Sequence, residues 1–298
     1  MDRSLAYVDG LVVGYLVLSG LILVPEVEGG GVHVWMLAAH FAAAAGIVGL
    51  GRRPPTSFLG RTVRETYPLL LLLVFYLEVD VLAQMLHTPP GYDALVRSWD
   101  AWLFGGHPHE GLARWLDGWL WREGFHLLYV SYYLLLFGSY LGVWTTAPER
   151  FPRFAFVVTG MFVSFLAVFL VFPVAGPLAE PGGALMTTGW FPQLVAWIYV
   201  PFRANGIVTG AFPSSHVGMS VGIACLLAPR RWIWRCLLWA LVAGIAVSTA
   251  YGRFHYAIDA VAGLAAGGLL YVLWTALYTA LQRRQASGRR PAGAARGL

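Results

Sequence analysis

Apolar runs about as long as a bilayer is thick recur along this chain, and a chain built that way has few folds open to it. A helix needs about 20 apolar residues to cross the hydrocarbon. Backbone polar groups must pair internally there, which leaves helices or closed barrels. By this measure the candidate spans are 8–25, 33–50, 67–86, 125–145, 154–175, 213–229, 236–252 and 256–281. Only 12% of the 298 residues are charged, where a soluble domain carries about 25%. The expected fold is therefore all-α, a polytopic integral membrane helical bundle of about eight transmembrane helices.

The charges orient the bundle. All 20 cationic residues are arginine. Fourteen of them gather in the segments 51–66, 146–153 and 229–235 and in the tail after Gln282. With eight spans these segments fall on one side, which the positive-inside rule assigns to the cytoplasm together with both termini. The net charge of +5 is thus accounted for by orientation, and no nucleic-acid partner is expected. The first apolar run reads as an uncleaved span, and arginine-only usage leans toward a bacterial plasma membrane. Two long outer segments, 87–124 and 178–212, are rich in tryptophan, which favours the membrane interface; both read as helices lying flat on the outer leaflet. The tail, 282–298, is basic and rich in Gly, Ala and Pro, and reads as disordered. Cys225 and Cys236 read as small apolar packing residues rather than a disulfide framework.

Three polar residues interrupt apolar sequence. His216 follows Pro213-Ser214-Ser215 at the start of the sixth span, and His255 and Asp259 open the eighth. Positions i and i+4 share a helix face, so the Asp259 carboxylate can take the Nδ1–H of His255 and leave Nε2 free as base or nucleophile. Both span starts belong to the outer surface, so the two histidines can share one site there. Proline suits a first helical position, and the free N–H groups after it attract an anion, which makes Ser214 and Ser215 candidate phosphate ligands. A lone histidine near a helix end is ordinarily an interfacial residue; the coincidence of both features at one depth argues otherwise.

The residues Gly210-Ala211-Phe212-Pro213-Ser214-Ser215-His216 resemble the second signature of the type-2 phosphatidic acid phosphatase superfamily. Ser248-Thr249-Ala250-Tyr251-Gly252-Arg253-Phe254-His255-Tyr256-Ala257-Ile258-Asp259 resembles its third. Within it the chain is most similar to the inositol phosphorylceramide synthase branch, through His-Tyr-x-x-Asp followed by Gly263, and through the segments 100–106 and 172–177. The resemblance spans about residues 67–281. It implies a six-helix catalytic core at 67–281, with two extra transmembrane helices and a basic loop at 1–66. It also implies that His255 attacks phosphorus to form a phosphohistidine, that Asp259 orients it, and that His216 protonates the leaving alkoxide and then deprotonates water or a polyol. The chemistry implied needs no metal or other cofactor, and the substrate is a lipid phosphate or phosphodiester at the outer, periplasmic or extracellular, face.

The chain departs from the superfamily pattern at two places. Thr249 stands where an arginine is usual, and Gly176-Pro177 stands where the first signature carries cations. Arg253 and, after it, Arg203 are the candidates to meet the phosphate charge in their stead, with membrane snorkelling the alternative for Arg203. Glu78 and Asp80 sit in the third span at a depth where acids are expensive; two apart, they point in different directions, and one of them is a candidate for a headgroup or acceptor hydroxyl. His126 could line the same pocket, though an interfacial role is the simpler reading. Asp93, Asp100, His107 and His109 form no firm metal-ligand set from their spacing. A transporter using Glu78 and Asp80 is the other class of function, but the chain has no inverted repeat and that reading leaves both histidine motifs unexplained.

Overall fold

The computed structural model describes residues 5–25, 31–87, 91–204, 206 and 209–288. Among them are eleven α-helices and no strand: α1 (Leu5–Leu23), α2 (Val32–Arg52), α3 (Phe58–Leu86), α4 (Asp93–Phe104), α5 (Pro108–Trp115), α6 (Trp119–Thr146), α7 (Phe151–Val171), α8 (Trp190–Ala204), α9 (Ser215–Leu227), α10 (Trp232–Tyr251) and α11 (Ala257–Gly288). Seven of the described helices (α1, α2, α3, α6, α7, α10 and α11) are long and apolar enough to cross a membrane. The eighth expected span is α9, whose 13 residues reach about 20 Å. It is short because residues 209–214 are spent on a turn that lines the site described below.

The bundle is organised around α7. Phe154, Val157, Val158, Met161, Phe165 and Phe169 of this helix are all buried, so it meets neighbours on every side, which is how a helix apolar all round is used. It packs against α1, α3, α9 and α11. At the end of the bundle carrying most of the arginines, the N-terminal helix is tied in by polar contacts: Arg64 donates to Asp9 Oδ2 at 2.5 Å and the Tyr67 hydroxyl donates to Asp9 Oδ1 at 2.7 Å. The first of these belongs to a stretch expected to be loop. Ser57 caps the helix instead, accepting from the Gly60 N–H at 3.1 Å, and so starts α3 at Phe58.

α9 and α11 approach closely because glycine lines their contact. A Cβ at Gly263 would stand 2.5 Å from the Ser214 carbonyl oxygen, and one at Gly267 would stand 2.4 Å from that of Gly218. The segment 87–124 holds α4 and α5 and the segment 178–212 holds α8, where interfacial helices were expected. α11 continues through Gly288, seven residues past its expected end at 281; residues 289–298 lie outside the described residues. Both cysteines are free, Cys225 half-buried and Cys236 exposed.

Candidate active site

The starts of α9 and α11 lie side by side. The Ser214 N–H donates to the Asp259 carbonyl at 3.0 Å, across the approach that Gly263 permits. Phe254 and His255 precede α11, and both their N–H groups donate to the Thr249 carbonyl. The tight turn so formed sends the His255 ring toward α9. The rings of His216 and His255 stand 5.9 Å apart, centre to centre, and both are buried.

His255 is held differently from the sequence expectation. Its Nδ1 lies 2.8 Å from the Ala211 carbonyl oxygen and 3.5 Å from Asp259 Oδ2. A carbonyl can only accept, so Nδ1 carries the proton and Nε2 of the neutral ring carries the lone pair. Nε2 meets the Ser214 hydroxyl at 3.2 Å. The main chain of Ala211 is therefore the closer orienting partner and Asp259 the second. The physical reason is that α11 starts at Ala257, so His255 is outside the helix and the i,i+4 face does not apply. Asp259 acts instead as an N-terminal cap, its Oδ2 accepting from the Tyr256 N–H at 2.8 Å.

Pro213 likewise stands before the helix rather than at its first position, because Ser214 is the N-cap of α9. Ser214 makes no side-chain capping bond; its hydroxyl is turned to His255. The N–H groups of the first turn of α9, which lack carbonyl partners within the helix, thus go without that cap and can face an anion. Ser215 is buried beside His216.

His216 makes no hydrogen bond through either ring nitrogen. It is packed among Tyr129, Tyr132 and Tyr133 at centre distances of 4.8, 4.3 and 5.8 Å. These tyrosines escaped the sequence reading, since aromatic positions on a span read as packing; their rings meet His216 only once α6 is folded against α9. A cavity of about 30 Å³ lies between the two histidines, with walls that include Tyr76, Asp80, Tyr199 and Thr209. A second, apolar cavity of about 200 Å³ shares Tyr76, Tyr133 and His216 with it and runs along Leu69, Leu72 and Leu136.

The other predicted residues divide. Asp80 reaches the polar cavity, where its Oδ1 accepts from the Thr209 N–H at 3.0 Å. Glu78 does not; it faces α2 and pairs with His40 Nε2 at 2.8 Å, as a residue two positions away on a helix must face elsewhere. Arg253 is not among the residues lining the cavity; it sits in the turn before His255 with a φ of +61°, and its Nε is buried without a hydrogen bond. Arg203 lies in α8 but its side chain is outside the described residues. Among the described residues no arginine lines the cavity. His126 packs against Tyr251 and Phe254 and is absent from the cavity wall.

Asp93 and Asp100 prove to be scaffold. Asp93 accepts from the N–H groups of Ala175 and Gly176 at 3.0 and 2.8 Å, and Asp100 Oδ1 accepts from Ile258 N–H at 2.9 Å. Together they clamp α4 to the segment before the cavity and to the start of α11. Glu123 does the same for α8, accepting from Trp190 and Phe191 N–H at 2.7 and 2.9 Å.

The fold is a helical membrane bundle with two buried imidazoles at one cavity, one of them with its Nδ1 held by a main-chain carbonyl. The model of one protein family, described as the PAP2 superfamily, matches residues 95–273, and the chain belongs to that superfamily of phosphatase-type membrane enzymes. No curated protein and no solved structure matches it.

Proposed function

We propose that this protein is a lipid phosphotransferase or lipid phosphate phosphatase that works through a phosphohistidine on His255. The carrying observation is the pairing of the two histidines across a small polar cavity that shares lining residues with an apolar one. The first suits a phosphate head and the second an acyl or prenyl chain. Nε2 of His255 attacks phosphorus, forming an N–P bond as the bond to the lipid oxygen breaks. Protonated His216 gives its proton to the departing alkoxide. The neutral His216 then takes a proton from water or an alcohol, whose oxygen attacks phosphorus as the N–P bond breaks. Asp259, 3.5 Å from Nδ1, offsets the positive charge on the phosphorylated ring. The Ser214 hydroxyl and the first N–H groups of α9 supply the hydrogen bonds that cations give elsewhere in the superfamily.

Asp80 favours the transferase version. A carboxylate beside the cavity repels a phosphate dianion but accepts a hydrogen bond from a hydroxyl, so it suits a polyol acceptor, as in the inositol phosphorylceramide synthase branch. Water as acceptor gives the plain phosphatase. Residues 67–281 form the catalytic unit in this reading, with 1–66 added to it; the arginine-rich ends face the cytoplasm and the histidines the opposite, periplasmic or extracellular, face. Supplying labelled phospholipid with and without inositol or another polyol tests the reading. Label in a new phosphodiester or phosphomonoester of the polyol is expected, and free phosphate alone would reject the transferase version.

A further inference from the structure

The outer face of the bundle holds a second cluster of titratable groups, separate from the histidine pair. His109 is fully buried, and neither ring nitrogen makes a hydrogen bond. Its Nε2 faces two carboxylates from different parts of the chain, 3.9 Å from Glu180 Oε2 and 4.0 Å from Glu110 Oε1. One ligand atom from each of the three residues falls within 4.8 Å of the others. On its other side, His109 Nδ1 lies 3.7 Å from Asp100 Oδ2, a buried oxygen that also lacks a hydrogen bond.

The charges around this ring do not balance. Asp93 is taken up by two backbone N–H groups, but Asp100, Glu110 and Glu180 remain. The nearest fixed cation is Arg97, which donates to Glu180 Oε1 at 2.6 Å and to Glu110 Oε1 at 2.7 Å. His107 stands beyond it, its Nε2 accepting from Arg97 at 3.3 Å. The Tyr256 hydroxyl donates to Glu180 Oε1 at 3.0 Å. Burial, and then Asp93 and Glu180, push that hydroxyl well above its usual range, so it stays a neutral donor. Glu180 Oε2 and His109 Nε2 are thus turned toward each other with a separation too long for a hydrogen bond.

We propose that His109, Glu110 and Glu180 bind a divalent cation of the zinc type, which fixes the outer segment to the start of the catalytic helix. One imidazole and two carboxylates form a zinc donor set, and bonds of about 2.0–2.2 Å require the 3.9 and 4.0 Å separations at His109 Nε2 to close by about 0.5 Å. The cation adds the positive charge that three carboxylates and one guanidinium lack. Its mechanical effect runs through Glu180 to Tyr256 and through Asp100 to Ile258, both adjoining Asp259. Sequence spacing could not assemble the set, since Glu180 comes from a loop 70 residues after its partners.

The test uses the full chain purified in detergent with a tag free of histidine, stripped with EDTA and titrated with zinc chloride. One zinc per chain by elemental mass spectrometry is expected, with a rise in the thermal unfolding midpoint. His109→Ala and Glu180→Gln are expected to weaken zinc binding by at least about 10-fold, while His33→Ala and His216→Ala leave it unchanged. If His109→Ala does not fold, Glu110→Gln carries the same expectation. Stoichiometry far below one, or equal zinc affinity in the His109 and Glu180 variants and the parent, overturns the proposal. So does loss of zinc from His216→Ala alone, which would place the ion in the catalytic cavity. Because the readout is bound metal, the result is independent of whether His255 is the nucleophile.

Discussion

The Ser214 hydroxyl lies 3.2 Å from Nε2 of His255, on the ring nitrogen that the Ala211 carbonyl leaves with its lone pair. In the proposed mechanism Ser214 sits where the phosphorus atom arrives, and its hydroxyl turns from the imidazole to a phosphate oxygen as substrate binds. Ser214→Ala removes that donor from the bound phosphate. A hydrogen bond to a charged group contributes about 1.5–3 kcal/mol, so kcat/KM should fall by about 10- to 100-fold with little change in thermal stability. Steady-state assays on a lipid phosphate in detergent micelles check this.

Asp259 caps Tyr256 N–H and, in the proposed mechanism, offsets charge on His255, two roles that can be separated. Asn at this position keeps an oxygen to cap Tyr256 N–H but loses the charge beside His255. Asp259→Asn should fold with near-parent stability and lose about 10²- to 10⁴-fold in turnover, the upper end being the loss seen for a charge-to-amide change in a related hydrogen-bonded pair. Asp259→Ala removes the cap as well and should cost about 1 kcal/mol more in stability. Thermal unfolding and turnover of both variants, measured together, distinguish the two contributions.

The contact between α9 and α11 depends on the absence of a side chain at Gly263. A methyl group there would press on the Ser214 carbonyl, within van der Waals contact of rigid backbone. Gly263→Ala should separate the two helix starts and lengthen the Ser214–Asp259 main-chain bond. Overpacking of this kind costs about 1–3 kcal/mol, and turnover should fall although no catalytic side chain is altered. Gly268→Ala, with open space around the added carbon, is the comparison and should leave both stability and turnover near the parent values.

Much of this architecture is legible from sequence because lipid imposes it. Apolar length located the helices, since few structures satisfy a backbone in hydrocarbon, but it missed nine residues at the start of α3, six at the start of α6 and seven at the end of α11; the two histidine motifs supplied residues that meet at one cavity. What escaped the reading depended on contacts between distant segments. Ala211 holds His255 through a carbonyl, a group every residue carries, so no residue type announces it. Tyr129, Tyr132 and Tyr133 read as ordinary span aromatics until α6 packs on α9. Glu78 and Asp80 carried the same signal, an acid at depth, and only the packing of α2 against one face and Thr209 against the other separates them.

Asp80 is predicted to govern the choice of acceptor. Asp80→Asn removes a negative charge from the cavity wall and retains an oxygen that can accept from Thr209 N–H. Transfer to a polyol should fall relative to release of free phosphate, and the ratio of the two products, measured from one labelled lipid, reports it. An unchanged ratio would remove Asp80 from acceptor recognition.

The phosphoenzyme tests the central claim most directly. Incubation with a lipid labelled on its phosphorus, an alkaline quench that preserves phosphohistidine, and peptide mapping should find the label on His255. The label should be missing in His255→Ala, and in His216→Ala it should outlast that of the parent, because the base that activates the acceptor is gone. Label on another residue, or turnover that survives His255→Ala, would contradict the account.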